Sequence, residues 1–151
     1  MAIVALTNPC NVINVEETRT IASKVTVFVC VSCSRDQAVT PTATPGAELL
    51  ASLELRFCDA GARDVTVTAV ECLAVCKRPC TLAMTAAEKW TYVIGDIDAA
   101  RHADEVVAAT LAYQRSSNGI VPWRERPETF RKGVVSRIPP LGFVPPEPEL
   151  A

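Results

Sequence analysis

Apolar residues fall along the chain in two kinds of pattern. Residues 24–30, KVTVFVC, are β-branched and apolar and read as a buried strand. The chain then turns polar, with Pro41, Pro45 and Gly46, and reads as a loop. Thr44 stands where a helix cap is needed, and Pro45 takes the first helical position, where a missing N–H costs nothing. Leu49, Leu50, Leu53 and Phe57 follow on one helical face, and Gly61 suits the residue just past the helix end. Residues 63–72, RDVTVTAVEC, are β-branched again, at Val65, Val67 and, less strictly, Val70. TLAM and KWTYVIG read as two short strands joined by a turn near Ala86 and Ala87. From Asp96 or Asp98, the run Ala99, Ala103, Val106, Val107, Leu111 predicts a second helix.

The order is strand, helix, strand, strand, strand, helix. A helical crossover between the first two strands makes them parallel neighbours, and the last two strands are close enough for a hairpin. This predicts a small α/β fold of thioredoxin-like form: a mixed sheet, two helices and an irregular C-terminal tail. Residues 1–23 show no clear periodicity and read as an extension. Residues 24–116 form the predicted domain. Residues 117–151 are proline-rich, without core periodicity, and read as a tail that packs on the domain and ends in a disordered stub. No internal repeat is present.

A chain of 151 residues, 49% of them apolar, can bury a real core and is not expected to be disordered through most of its length. A formal charge of -2 gives no sign of a nucleic-acid partner. The first residues lack a basic segment, and Asn8 and Pro9 break the apolar run early, so no signal peptide is expected. No run is long and apolar enough for a membrane span. The expected location is cytoplasmic, where thiols stay reduced and clustered cysteines point to metal or catalysis.

Seven cysteines is a high count, and its odd parity fits a complete disulfide set poorly. Cys30 ends the first strand and Cys33 stands in the loop after it, and Cys72, Cys76 and Cys80 follow the second strand. Loops leaving the carboxyl ends of parallel strands lie at one end of a sheet. Both cysteine groups therefore converge if the strands are parallel. Clustered thiolates repel one another, and a bound cation removes that cost. Thiolates select zinc, Cu(I) or an iron–sulfur cluster. The long loop of small residues, with backbone N–H groups to offer cluster sulfurs, leans toward iron–sulfur.

The residues around these cysteines resemble the thioredoxin-like [2Fe-2S] ferredoxins. The resemblance lies in a strand ending in cysteine, a helix of the GAELLASL kind, and a strand running into a Cys-Leu-x-x-Cys loop, here VTVTAVECLAVC. The chain is more closely similar to a bacterial family described only as predicted metal-binding and often encoded among cobalamin-biosynthesis genes. VCVSC, CLAVCKRPC, KWTYVIGDID and GIVPWRERPETFRKGVVSRIPP carry that similarity, from about Lys24 to Pro140. Matched residue by residue, the resemblance implies Cys30, Cys33, Cys72 and Cys76 as cofactor and metal ligands, with Cys80 as a swap ligand or a thiol behind them. It implies a [2Fe-2S] cluster, with zinc as the alternative, and a redox partner protein, for instance an enzyme of cobalamin metabolism. The ferredoxins place their second cysteine farther from the first than Cys33 stands from Cys30, and they carry no ligand at the Cys80 position. These departures bear on the cluster type more than on the site. Ferredoxins of this fold often pair, so a homodimer is among the expected assemblies.

Other readings stay open beside this one. A non-redox module that stores, senses or delivers Zn²⁺, Cu(I) or cobalt would benefit from a fifth thiol. A dithiol oxidoreductase would use Cys30-x-x-Cys33, but the polar stretch from 34 to 44 puts the helix N-terminus too far away to activate a thiolate. No phosphate-cradling glycine loop or substrate signature is present, so an independent enzyme is not expected. His102, among Arg101, Asp104 and Glu105, reads as a solvated helix residue. Cys58 beside Phe57 reads as core, Cys10 carries no assignment, and Glu88 and Asp96 read as turn or cap residues. Lys77 and Arg78 lie inside the cysteine loop and could guide an acidic partner. Trp90 and Tyr92 read as sheet packing. Trp123, with Arg124, Arg126, Arg131, Lys132 and Arg137, forms a basic arm for which packing on the sheet edge is preferred over docking a partner.

Overall fold

The structure is a computed structural model, and it describes residues 23–32 and 44–148. Nine elements follow one another along these residues, among them the strands β1 (Val25–Cys30), β2 (Val65–Val70), β3 (Leu82–Ala86), β4 (Thr91–Ile94) and β5 (Val134–Ile138). The helices are α1 (Pro45–Asp59), α2 (Ala103–Arg115) and α3 (Glu128–Gly133), with a 3-10 turn at Trp123–Glu125. The strands form one sheet in the order β2-β1-β3-β4-β5. β1 pairs with β2 in parallel, Val25 opposite Val65 and Cys30 opposite Val70. β3 runs antiparallel to β1, and β4 and β5 continue antiparallel. The expected thioredoxin-like arrangement of a mixed sheet and packed helices is present.

β1 is an interior strand, flanked by β2 and β3, and its period of two decides what it faces. Val25, Val27 and Val29 are fully buried against Leu49, Leu53 and Phe57 of α1. Each large apolar side chain so placed contributes roughly 1.5–3 kcal/mol. The α1 cap forms as predicted. The Thr44 hydroxyl accepts from the Ala47 N–H at 3.0 Å and donates to the Val31 carbonyl, tying the helix start to the end of β1. Gly46 makes that closeness feasible, since a Cβ there would lie 2.1 Å from the Cys30 carbonyl oxygen. At the other end, Gly61 takes a left-handed φ of 63°.

Two sequence expectations shift. The second helix begins at Ala103, not near Asp98. The Asp98 carboxylate instead accepts from the N–H groups of Ala100 and Arg101, and His102 Nδ1 accepts from the Asp98 N–H at 3.0 Å. These bonds close a separate turn over residues 98–102, ahead of the helix. The predicted tail is not irregular throughout. It supplies α3 and the edge strand β5, so the helices number three among the described residues. Its Val121 and Phe130 are fully buried, and Phe130 lies against Tyr92 with ring centroids 5.5 Å apart. Alternation is weak in β5 because an edge strand with four of five residues exposed needs little apolar character.

Candidate metal centre

Parallel pairing of β1 and β2 sets the site. Both strands end on one edge of the sheet, and the loop 71–80 leaves from there. Cys30 is the last residue of β1. Its N–H donates to the Thr81 carbonyl at 3.0 Å, and the next N–H, of Val31, donates to the Val70 carbonyl at 2.9 Å. Cys30 is therefore held from both sides, and only 2% of it is exposed. Its thiol donates to the Glu71 carbonyl at 3.6 Å, and the Ser32 hydroxyl donates to the same oxygen. These two bonds fasten the start of the cysteine loop to the end of β1.

Cys72 and Cys76 are exposed thiols of that loop. The Ala74 N–H, on a residue with φ of 58°, donates to Cys72 Sγ at 3.2 Å. A hydrogen bond from Cys72 holds the Cys76 thiol above its ordinary pKa, helped by charge repulsion from Cys72, by slight desolvation and by the charge on Cys30. Cys76 thus lies within electrostatic reach of both Cys72, in its own loop, and Cys30, distant in sequence. A raised thiol pKa of this origin is the cost a bound cation relieves. Soft sulfur donors at one sheet end, with a backbone N–H aimed at a sulfur, suit a thiophilic ion or a cluster. Among the described residues, no three His, Cys, Asp or Glu side chains are disposed to enclose an ion. The fourth expected ligand, Cys33, lies outside the described residues, as does Cys10.

Cys80 is placed differently. It is 1% exposed, belongs to the hydrophobic core, and its backbone pairs both ways with Ile97, at 3.3 and 3.1 Å. Cys58, expected in the core, is exposed. The buried stripe of α1 is Gly46, Leu49, Leu53 and Phe57, and the residue after Phe57 is turned about 100° away from it. His102 is half-buried at the start of α2. Tyr92 is in the core as expected, and Trp90 is half-buried against Phe143 at 5.2 Å and under the Arg137 guanidinium at 4.9 Å.

Sequence reasoning missed the brace that holds the far side of the loop. Arg78 Nε donates to Asp96 Oδ2 at 2.7 Å, and its other arm donates to the Lys132 carbonyl at 3.0 Å. Asp96 sits at φ 58°, and its N–H donates to the Arg78 carbonyl at 3.0 Å. The loop is thereby joined to α3. Partners 18 and 54 residues away leave no local trace in the sequence. Trp123 was expected to pack, yet it is 60% exposed.

The chain belongs to the family described as protein of unknown function DUF1636, matched over residues 27–140. The fold is similar to that of a thioredoxin-like [2Fe-2S] ferredoxin from Aquifex aeolicus, with a TM-score of 0.52 at 17% identity, covering 82% of this chain and 100% of the ferredoxin. A second structure, the wild-type thioredoxin-like [2Fe-2S] ferredoxin from the same organism, is similar at a TM-score of 0.50 and 17% identity, covering 76% and 99%. No curated protein matches the sequence. Among the described residues, no helix is long and apolar enough to cross a membrane.

Proposed function

We propose that this protein is a cysteine-ligated electron carrier whose centre is a [2Fe-2S] cluster held by Cys30, Cys33, Cys72 and Cys76. The observation that carries this reading is the parallel pairing of β1 and β2, which brings Cys30 and the Cys72–Cys76 loop to one end of the sheet, with Cys76 in reach of Cys30 and Cys72. The likeness in fold to thioredoxin-like [2Fe-2S] ferredoxins supports it. A cluster, when bound, would accept and release one electron. The chain would supply the rest. β1 holds Cys30 rigidly, the loop brings Cys72 and Cys76, and the Ala74 N–H lowers the charge on one sulfur. The protein would serve a partner enzyme and turn over no substrate of its own. On the family resemblance alone, that partner is placed in cobalamin metabolism.

The exposure of both Cys72 and Cys76 favours one second reading, a module that exchanges Zn²⁺, Cu(I) or cobalt without redox turnover. Metal analysis and a visible spectrum of anaerobically isolated protein decide between them. Two irons per chain, sulfide and a reversible one-electron signal are expected of the carrier. A colourless, zinc-loaded protein overturns it in favour of the module.

A further inference from the structure

The chain carries a formal charge of -2, yet its cations are unevenly spread. Around the 3-10 turn and α3, Arg124, Arg126, Arg131 and Lys132 face only Glu125 and Glu128 in sequence, and Glu128 is tied to Lys132. Arg124, Arg126 and Arg131 form no ion pair among the described residues, although the Arg131 charge acts on Glu128. Arg126 donates to the Val121 carbonyl at 2.7 Å, and Arg131 donates to the carbonyls of Trp123 and Arg124 at 3.3 Å each. The Arg126 and Arg131 guanidinium groups lie 5.6 and 5.9 Å from the Trp123 ring centroid. Trp123 lies against two cations and is 60% exposed. A large aromatic residue pinned by arginine and left exposed has the composition of an interface hot spot. Salt-bridged cations lose their pull on a partner, whereas these keep theirs.

This surface is mechanically continuous with the cysteine loop. Arg78, two residues beyond Cys76, holds the carbonyl of Lys132, the neighbour of Arg131. Lys77, exposed in the same loop, makes no ion pair with the described residues and adds a further cation. By contrast, the 270 Å³ groove beside it, near His102, Glu105 and Thr129, is lined by groups already satisfied: Glu105 accepts both the N–H and the hydroxyl of Thr129.

We propose that the Trp123, Arg124 and Arg131 surface, with Lys77, is the docking face for an acidic redox protein that exchanges one electron with the cysteine centre. The proposal rests on the electron-carrier reading above. One electron would leave this protein and reduce the acceptor by one electron, with no bond made or broken.

The test uses the full chain labelled with ¹⁵N, a purified acidic flavodoxin as probe and basic cytochrome c as its counterpart. In low salt, flavodoxin should shift the Trp123 indole N–H and the Arg124 and Arg131 amides. About 0.3 M salt should remove the shifts, because screening then acts within a few ångströms. Arg124→Glu and Trp123→Ala should each weaken binding about tenfold or more. Arg63→Glu changes net charge as much as Arg124→Glu but lies before β2, at the opposite end of that strand from the cysteine loop, and should have less than a twofold effect. Absence of flavodoxin binding, shifts mapped elsewhere, preference for cytochrome c, or equal loss in Arg63→Glu overturns the proposal. The binding readout needs no bound metal. Shifts at Trp123 in a protein that never yields an iron signal keep the docking face and sink the electron-carrier reading. Electron transfer to flavodoxin that is unchanged in Arg124→Glu does the reverse.

Discussion

The exposed pair Cys72 and Cys76 and the buried pair Cys30 and Cys80 are the same residue type under opposite constraints. The first pair sits in an irregular loop, open to solvent, with Cys72 raising the pKa of Cys76. The second is fixed by β-ladder and core contacts, with Cys30 belonging to both worlds because its thiol reaches the loop carbonyl of Glu71. Availability and position are thus divided. The core supplies an immovable reference sulfur, and the loop supplies sulfurs that a ligand can reach.

The largest effect should come from the loop. Cys72→Ser or Cys76→Ser should cut bound metal to under about a tenth. The unfolding free energy of the metal-free protein, from urea melts, should stay within about 0.5 kcal/mol of the parent, as for other exposed substitutions. A large loss of metal-free stability would erase the contrast between the pairs. Gly46→Ala tests the buried side. A methyl at 2.1 Å from the Cys30 carbonyl oxygen must push α1 off the end of β1. A loss of about 2 kcal/mol or more is expected, with weakened metal retention. Cys80→Ser places a hydroxyl in the core and should cost about 1–3 kcal/mol in denaturant melts while metal content is kept. Parent-like stability together with lost metal would move Cys80 into the ligand set.

A pH titration sharpens the description of the core. Burial pushes the Tyr113 hydroxyl up to about 12. The folded state therefore holds that proton more tightly than the unfolded chain. The associated stability is complete below pH 10 and should decline as pH rises toward 12. Lys89, whose pKa is lowered by desolvation, acts in the opposite direction at somewhat lower pH. Tyr113→Phe should abolish the alkaline decline, and an unchanged profile would remove Tyr113 as its cause. The smallest effect is expected for Arg78→Met. The Arg78 and Asp96 side chains are 33% and 51% exposed, so the pair should contribute about 0.5–1 kcal/mol after screening.

Much of this architecture was legible in the sequence, for physical reasons. β1 and α1 announce themselves because one face of each is buried, and burial imposes a period. The Thr44 cap and Gly61 mark ends where the backbone needs a particular residue. Parallel β1 and β2 followed from a helical crossover, and that alone foretold that Cys30 and the Cys72 loop share an edge. β5 and α3 were hidden because solvent sets their composition, and VVSRI between a short helix and two prolines has no distinctive rhythm. Asp98 marked a turn and not the helix itself, since its carboxylate accepts from Ala100 and Arg101, two and three residues on, ahead of the helix start at Ala103. Trp123 reads as covering the sheet edge because an aromatic residue among cations looks amphipathic, and its 60% exposure is not visible in the sequence. The Arg78 brace joins three distant segments and can be seen only in three dimensions.

The interior place of β1 limits where the fold can give. With β2 on one flank and β3 on the other, Cys30 cannot shift without breaking two ladders at once. The 71–80 loop is tied at its start through the Glu71 carbonyl and at its end through Arg78 and the Cys80 backbone. Cys72 and Cys76 lie between those ties, so any adjustment their thiols made to a ligand would fall to the short stretch from 72 to 77 and not to the strand.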